Sequence, residues 1–228
     1  IVLYVWHPQL QEAAAAGPYT PTIGNAQPTP VLLPAGLTTG RDITGVNLFE
    51  NVRKQGALNL DGQSWAEVHD NASLDFNDAI TLEAWVYLDE TSAGGKGILG
   101  KWNYSSGKKS YLLYLESNHT SVGFYVSPNG SGDSKTKINT TMSNGNWYHV
   151  AGVYNGSNIS IYLNGSLESS LVFTGSLYAS DKDLQIGILD SNTTQEYEHP
   201  LAQPRIYNRA LTAEEVQRNY NAGKNIYS

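Results

Sequence analysis

From Ile80 to Leu88 the chain alternates in character. Leu82, Ala84, Val86 and Leu88 fall on one face of an extended strand, with Glu83, Trp85 and Tyr87 on the other. The same period of two places Ile159, Ile161 and Leu163 opposite Asn158, Ser160, Tyr162 and Asn164, and it returns in Leu184, Ile186 and Ile188. From Trp147 to Tyr154 large residues occupy both faces, so periodicity alone leaves the buried side open. Asn155-Gly156 follows that run, and both residues tolerate the positive φ of a two-residue hairpin turn. Tyr111–Leu115 and Val122–Val126 predict a second hairpin around Ser117-Asn118. Val46–Phe49 and Ala57–Leu60 open the series, and Gly94-Gly95 turns the chain before Ile98-Leu99. Short apolar runs separated by turn clusters are the pattern of an all-β sandwich.

The helix signal comes at the C-terminus. Thr212 and Glu215 are spaced as a capping box, Leu211 and Val216 as a hydrophobic staple, and Ala222-Gly223 as a stop. This short helix is expected to close one end of the sandwich. At the other terminus Ile1–Trp6 is apolar but far shorter than the about 20 residues that cross a bilayer. Gly17–Gly40 carries Pro18, Pro21, Pro28, Pro30 and Pro34 with almost no charge, the composition of an extended spacer or a wrapped arm, with Val31–Leu33 as a possible edge strand. The expected organisation is an assembly or anchor segment over 1–16, a Pro-rich spacer over 17–44 and a sandwich over 45–228.

Composition narrows the chemistry. A length of 228 residues suffices for one sandwich and a tail. A net charge of −7 without a basic run argues against a nucleic-acid partner. The absence of cysteine excludes disulfides, thiolate metal sites and thiol nucleophiles. N-x-[ST] occurs nine times, at Asn71, Asn103, Asn118, Asn129, Asn139, Asn155, Asn158, Asn164 and Asn192. Chance would give about four, so these are candidate glycosylation sites in an extracellular protein. The competing reading is that Asn, Ser and Thr are simply enriched in turns.

The central run N-W-Y-H-V-A-G-V-Y-N-G-S-N-I-S-I-Y-L-N-G (Asn146–Gly165) resembles the signature hairpin of laminin-G-like, concanavalin A-like sandwich domains. A-L-N-L-D-G-Q-S-W-A-E-V (Ala57–Val68), I-T-L-E-A-W-V (Ile80–Val86) and R-I-Y-N-R-A-L-T-A-E-E-V (Arg205–Val216) fit the same pattern in order. The resemblance implies an all-β, two-sheet antiparallel jelly-roll sandwich with a short C-terminal helix and an N-terminal extended or helical tail. Separately, I-V-L-Y-V-W (Ile1–Trp6) resembles the end of the N-terminal helix of archaeal type IV pilins. That would make the chain a glycosylated, non-catalytic subunit of a cell-surface filament or adhesin, partnered by copies of itself. Its membrane contact would run through a hydrophobic helix upstream of Ile1. A strand donated to a neighbouring subunit and an ordinary first strand are the other readings of this stretch. A free or appended carbohydrate-binding module is the alternative function.

Catalytic patterns are lacking. Related hydrolases set two carboxylates on one strand face, whereas Glu67 and Asp70 have opposite parity and Glu83 has no such partner within its strand. The resemblance also implies a Ca²⁺ near one sandwich end, with Asp61 in the D-G motif. The second acidic segment, however, reads L-A-Q-P-R-I-Y, with Ala202, Gln203 and Pro204 where acids belong. A hard cation wants six or more oxygens, so Asp61 is a weak metal candidate and no cofactor is expected. For sugar stacking, Trp102, Tyr104 and Tyr197 are the candidates, expected in loops beside Asn103, Asn192 and Glu196.

Overall fold

A computed structural model describes residues 4–6, 37–39, 57–89, 94–104, 107–190 and 195–227. The strands in chain order begin with β1 (Tyr4–Trp6), β2 (Leu37–Thr39), β3 (Ala57–Asn59), β4 (Ala66–Val68) and β5 (Ile80–Leu88). They continue with β6 (Lys96–Lys101), β7 (Tyr111–Leu115), β8 (Val122–Val126), β9 (Ser134–Lys137) and β10 (Asn146–Tyr154). The last are β11 (Asn158–Leu163), β12 (Ser166–Val172), β13 (Leu184–Ile186) and β14 (Pro200–Tyr207), followed by helix α1 (Ala213–Tyr227). They form two seven-stranded sheets. The first runs β1-β14-β5-β10-β11-β12, with β3 also on β14; the second runs β2-β4-β13-β6-β7-β8-β9. All pairings are antiparallel except β1 with β14. The fold is the two-sheet sandwich that the central hairpin implied.

The core between the sheets is built by the alternation seen in the sequence. Leu82, Ala84, Val86 and Leu88 of β5 and Ile159, Ile161 and Leu163 of β11 face Tyr111, Leu113, Leu115, Val122, Phe124 and Val126 of β7 and β8. Gly152 has no side chain because Phe124 occupies the space, where an added Cβ would lie 2.4 Å from the ring. Burying each such large apolar side chain stabilises the fold by about 1.5–3 kcal/mol.

The strand with two apolar faces has two buried faces. The outer side of the first sheet lies under α1, so Trp85, Tyr87 and Trp147 pack with Tyr220 and Tyr227, while Ala151, Val153 and Tyr162 pack with Leu211 and Val216. The helix therefore covers a sheet face and does not close a sandwich end. The capping box forms, with Thr212 N–H donating to Glu215 Oε2 and Glu215 N–H to Thr212 Oγ1. The expected stop at Ala222-Gly223 fails, since the helix continues to Tyr227. Gly223 is there for packing: a Cβ on it would meet Trp85 Nε1 at 2.4 Å.

Two turns correct the sequence reading in detail. Asn155 N–H donates to Asn158 C=O, so the central turn residues are Gly156 and Ser157, with Gly156 at φ +87°. Asn155 instead uses its side-chain oxygen to accept from Ser157 and Asn158 N–H. The next turn, Asn164-Gly165, holds both residues at positive φ (49° and 81°) and launches β12 as an edge strand that alternation did not announce.

At the N-terminus, Tyr4–Trp6 pairs in parallel with Arg205–Tyr207 of the same chain. These residues are a strand and not the end of a helix. The rest of 1–16, most of the 17–44 spacer including Val31–Leu33, Val46–Phe49 and Asn192 lie outside the described residues. Strands β1 and β3 share one edge of β14 on either side of a bulge at Gln203-Pro204. Proline at that bulge costs no ladder hydrogen bond. Among the described residues no helix is long and apolar enough to cross a membrane.

Candidate functional site

The outer face of the second sheet carries the most chemically organised surface. In β7 and β8 the residues between core positions are Leu112, Tyr114, Gly123 and Tyr125, with Leu112 paired to Tyr125 and Tyr114 to Gly123. Trp102, Leu112, Tyr114 and Leu189 form a buried cluster with Tyr125 packed half-exposed against it. The Trp102 and Tyr125 rings meet edge-on at 5.9 Å between centroids, and Tyr114 and Tyr125 at 5.9 Å and 89°. Such edge-to-face pairs add about 0.5–1.5 kcal/mol beyond burial and lock ring orientation.

Polar groups ring this aromatic floor. Tyr125 Oη donates to Glu116 Oε1 at 2.7 Å, and Lys135 Nζ donates to Tyr125 Oη at 2.9 Å while standing 3.5 Å from the same carboxylate oxygen. Gly123 makes this possible, because a Cβ there would lie 2.6 Å from Glu116 Oε1. Gln195 Nε2 donates to Tyr114 Oη at 3.1 Å, and its buried Oε1 has no hydrogen-bond partner among the described residues. Lys135 and Lys109 stand over the Tyr125 and Trp102 rings at 5.0 and 5.4 Å from the centroids. Burial raises the Tyr125 phenol, and the Glu116 carboxylate raises it further. Burial likewise raises Tyr114, with Tyr104 adding to it. Both phenols thus stay neutral and keep their donor protons in ordinary buffers.

Of the sequence-predicted stacking residues, only Tyr104 offers a ring to solvent, at 57% exposure, and its hydroxyl is the polar neighbour of Tyr114. Trp102 is the buried floor of the patch, 2% exposed. Tyr197 is a core residue whose hydroxyl donates to the Tyr87 carbonyl at 2.6 Å. Neither buried ring can stack on a ligand. The expectation failed because the loop segments carrying them fold back onto the sheets, which local pattern does not reveal. Tyr125, Glu116 and Lys135 went unnoticed, although the Tyr114/Tyr125 parity opposite the core positions was the available signal.

Two cavities lie elsewhere. An open groove of about 600 Å³ runs between α1 and the Asn164-Gly165 turn, lined by Leu167, Glu214, Gln217 and Arg218 among others and lacking any aromatic ring. A polar hollow of about 160 Å³ lies at the ends of β8 and β9, where Asn118, Thr120, Lys137 and Asn139 converge.

Glu83, the one acid in β5, is fully buried and engaged. Arg205 Nη1 at 2.7 Å, Tyr207 Oη at 3.0 Å and Asn219 Nδ2 at 3.1 Å from both oxygens donate to it. Asp61 is a turn former: its Oδ1 accepts from Gln63 N–H at 3.0 Å and Ser64 Oγ at 2.8 Å. Slight burial pushes that carboxyl up, but these bonds outweigh it and hold it below its ordinary value. Among the described residues, the group with metal-ligating side chains close together is Glu67, His69 and Asp183.

The sequons sort by geometry. Asn71, Asn118, Asn129 and Asn155 are exposed, and each accepts through Oδ1 from the N–H two residues on. This Asx-turn bonding gives each motif a local structural reason of its own. Asn139 is exposed but donates through Nδ2 to the Glu168 carbonyl. Asn103 is half-buried and donates through Nδ2 to Asp190 at 2.5 Å. Asn158 and Asn164 are half-buried, and Asn164 Oδ1 accepts from His149 N–H.

The two-layer antiparallel sandwich is a concanavalin A-like fold. The family model described as the concanavalin A-like lectin/glucanases superfamily matches residues 60–217, and the chain belongs to that superfamily. No curated protein sequence matches the chain. Among solved structures, the binding domain of Paraclostridial Mosquitocidal Protein 1 is 18% identical, with a TM-score of 0.62 over 78% of this chain and 46% of that one. The ligand-binding domain of botulinum neurotoxin serotype D, solved in complex with N-acetylneuraminic acid, is 13% identical, with a TM-score of 0.63 over 82% and 46%. The binding domain of botulinum neurotoxin serotype G is 15% identical, with a TM-score of 0.57 over 73% and 42%. The chain thus covers less than half the length of these structures, and at such identities the likeness is one of fold.

Proposed function

We propose that this protein is a non-catalytic carbohydrate-binding module that holds a sugar on the outer face of its second sheet. The observation that carries this reading is the exposed Tyr104 ring beside half-exposed Tyr125, over a rigid floor of Trp102 and Tyr114 and within reach of Glu116, Lys135 and Gln195. A pyranose presents a C–H face to an aromatic ring and hydroxyls at its edge, and the polar rim supplies both donors and acceptors for them. Lys109 and Lys135 are each paired with a carboxylate, Asp133 and Glu116, so neutral sugars are probed alongside the sialic acid bound by the serotype D domain. An extracellular or cell-surface setting accords with the superfamily and with the exposed sequons. A non-catalytic role accords with the saturated hydrogen bonding of Glu83. The filament-subunit reading rests on the likeness of Ile1–Trp6 to a pilin helix, and the strand at Tyr4–Trp6 weighs against it.

A glycan array probed with the wild-type protein and with Tyr104→Ala tests the proposal. The expected result is a defined set of bound glycans whose signal falls at least about tenfold in the variant. No binding to any glycan, or binding untouched by Tyr104→Ala and by Tyr125→Ala, overturns it.

A further inference from the structure

On the same outer face, three strands away from Tyr125, four polar side chains meet across β4 and β13. The pairing Gln185 with Glu67 and Leu184 with Val68 fixes the geometry. Val68 and Leu184 turn to the core, so Glu67, His69, Asp183 and Gln185, at alternate positions, turn outward together. One ligand atom each from Glu67, His69 and Asp183 lies within 4.8 Å of the others. His69 Nδ1 and Asp183 Oδ2 are 3.4 Å apart. That matches the edge of about 3.3 Å expected of a tetrahedron with metal–ligand bonds near ~2.0 Å.

The surroundings organise these groups. Asp183 Oδ1 accepts from the Asp70 N–H at 2.8 Å, which fixes the carboxylate plane and leaves Oδ2 turned to His69. Gln185 Nε2 donates to Glu67 Oε2 at 3.0 Å. The Gln185 side chain is completely buried, yet its Oε1 has no hydrogen-bond partner among the described residues. A buried acceptor without a donor is costly, which marks this polar cluster as incompletely satisfied. Lys101 is committed to Asp70 and Asp75, and Lys182 stands 3.7 Å from Asp190.

We propose that Glu67, His69 and Asp183 form a binding site for a divalent transition-metal ion, zinc being the best match, with the Gln185 amide holding Glu67 in place through Nε2. An imidazole nitrogen with two carboxylates selects a borderline ion over Ca²⁺, which takes six to eight oxygens. With three protein ligands, the His69 side chain 58% and the Asp183 side chain 31% exposed, a further coordination position remains for water or an added ligand. The ion would also clamp β4, a three-residue strand, to β13. The site involves none of the residues assigned to sugar binding, and its test requires no sugar.

The experiment is equilibrium dialysis and calorimetric titration of the chelator-stripped full chain with ZnCl₂, alongside CaCl₂ as a comparison. The expected result is one zinc per chain, a raised unfolding temperature, and no competing calcium uptake. Affinity should fall at least ~10-fold in both His69→Ala and Asp183→Asn and stay unchanged in His119→Ala. His69 is largely exposed, so its loss leaves the fold intact. A histidine-selective NMR spectrum should show the His69 ring shifting on zinc addition. No zinc uptake, or uptake that survives both His69→Ala and Asp183→Asn, overturns the proposal.

Discussion

Arg205 reaches from β14 to Glu83 on β5, placing Nη1 2.7 Å from a carboxylate oxygen that is wholly shut off from water. The contact depends on the bulge at Gln203-Pro204, where Gln203 takes φ +48° and its Oε1 accepts from Arg205 Nη2 at 2.7 Å. Tyr207 on the same strand and Asn219 on α1 complete the shell. A buried charge thus couples the sheet to the helix lying on it. Arg205→Met strands the carboxylate, and breaking one side of such a pair costs about 3–5 kcal/mol. Urea denaturation should show that loss. The double variant Arg205→Met/Glu83→Gln should lose less than the two single losses added together, because no uncompensated charge remains.

The same carboxylate sets an acid limit. Burial pushes Glu83 up, but His149 and Arg205 outweigh it and bring the group down from 4.5 to about 2. His149 Nε2 lies 3.6 Å from Oε2, beyond hydrogen-bond reach, so its effect on the carboxylate is electrostatic. With the folded value below the unfolded one, the folded protein binds fewer protons between them. The stabilisation is complete above the unfolded value of 4.5 and is lost as pH falls from there towards about 2. Unfolding temperatures across that interval should drop steeply in the wild type and less steeply in Glu83→Gln.

Gly223 presents two opposing effects. Replacing a mid-helix glycine with alanine ordinarily stabilises by about 1 kcal/mol. Here the new methyl would lie 2.4 Å from Trp85 Nε1, and the indole cannot move freely because Tyr220 and Tyr227 pack against it at 5.6 and 5.1 Å. Overpacking of this kind costs about 1–3 kcal/mol, so Gly223→Ala should be net destabilising. A lowered unfolding temperature together with altered Trp85 fluorescence is the expected outcome.

That glycine also marks where sequence reading ends. The β5, β11 and β13 alternations were legible because one face of each meets a single continuous core, and Thr212 and Glu215 were legible because a cap is a local bond. Gly223 as a stop was misread because its cause, Trp85, lies far away in the chain and close only in space. The same holds for Arg205, whose partner Glu83 is 122 residues distant. At the candidate site, Tyr104 could be named from its loop setting. Tyr125 could not, because nothing local distinguishes an outward strand tyrosine under solvent from one under a folded-back loop. Glu67 and His69 share a parity visible in the sequence, but Asp183 joins them only through the β4–β13 register.

Tyr104 and Tyr197, alike as loop tyrosines in the sequence, should separate cleanly in experiment. Tyr104 is 57% exposed, with its hydroxyl beside Tyr114, so Tyr104→Ala should change stability by no more than about 1 kcal/mol. Its effect should fall on glycan binding. Tyr197 is buried, and its hydroxyl donates to the Tyr87 carbonyl at 2.6 Å, on the strand that carries the Trp147 and Tyr227 packing. Tyr197→Phe leaves that carbonyl short of a donor and should cost about 1–3 kcal/mol. Its glycan affinity, measured below the unfolding temperature, should match that of the wild type. The opposite assignment, a stability loss from Tyr104→Ala or a binding loss from Tyr197→Phe at full folding, would move the sugar site off the outer face of the second sheet.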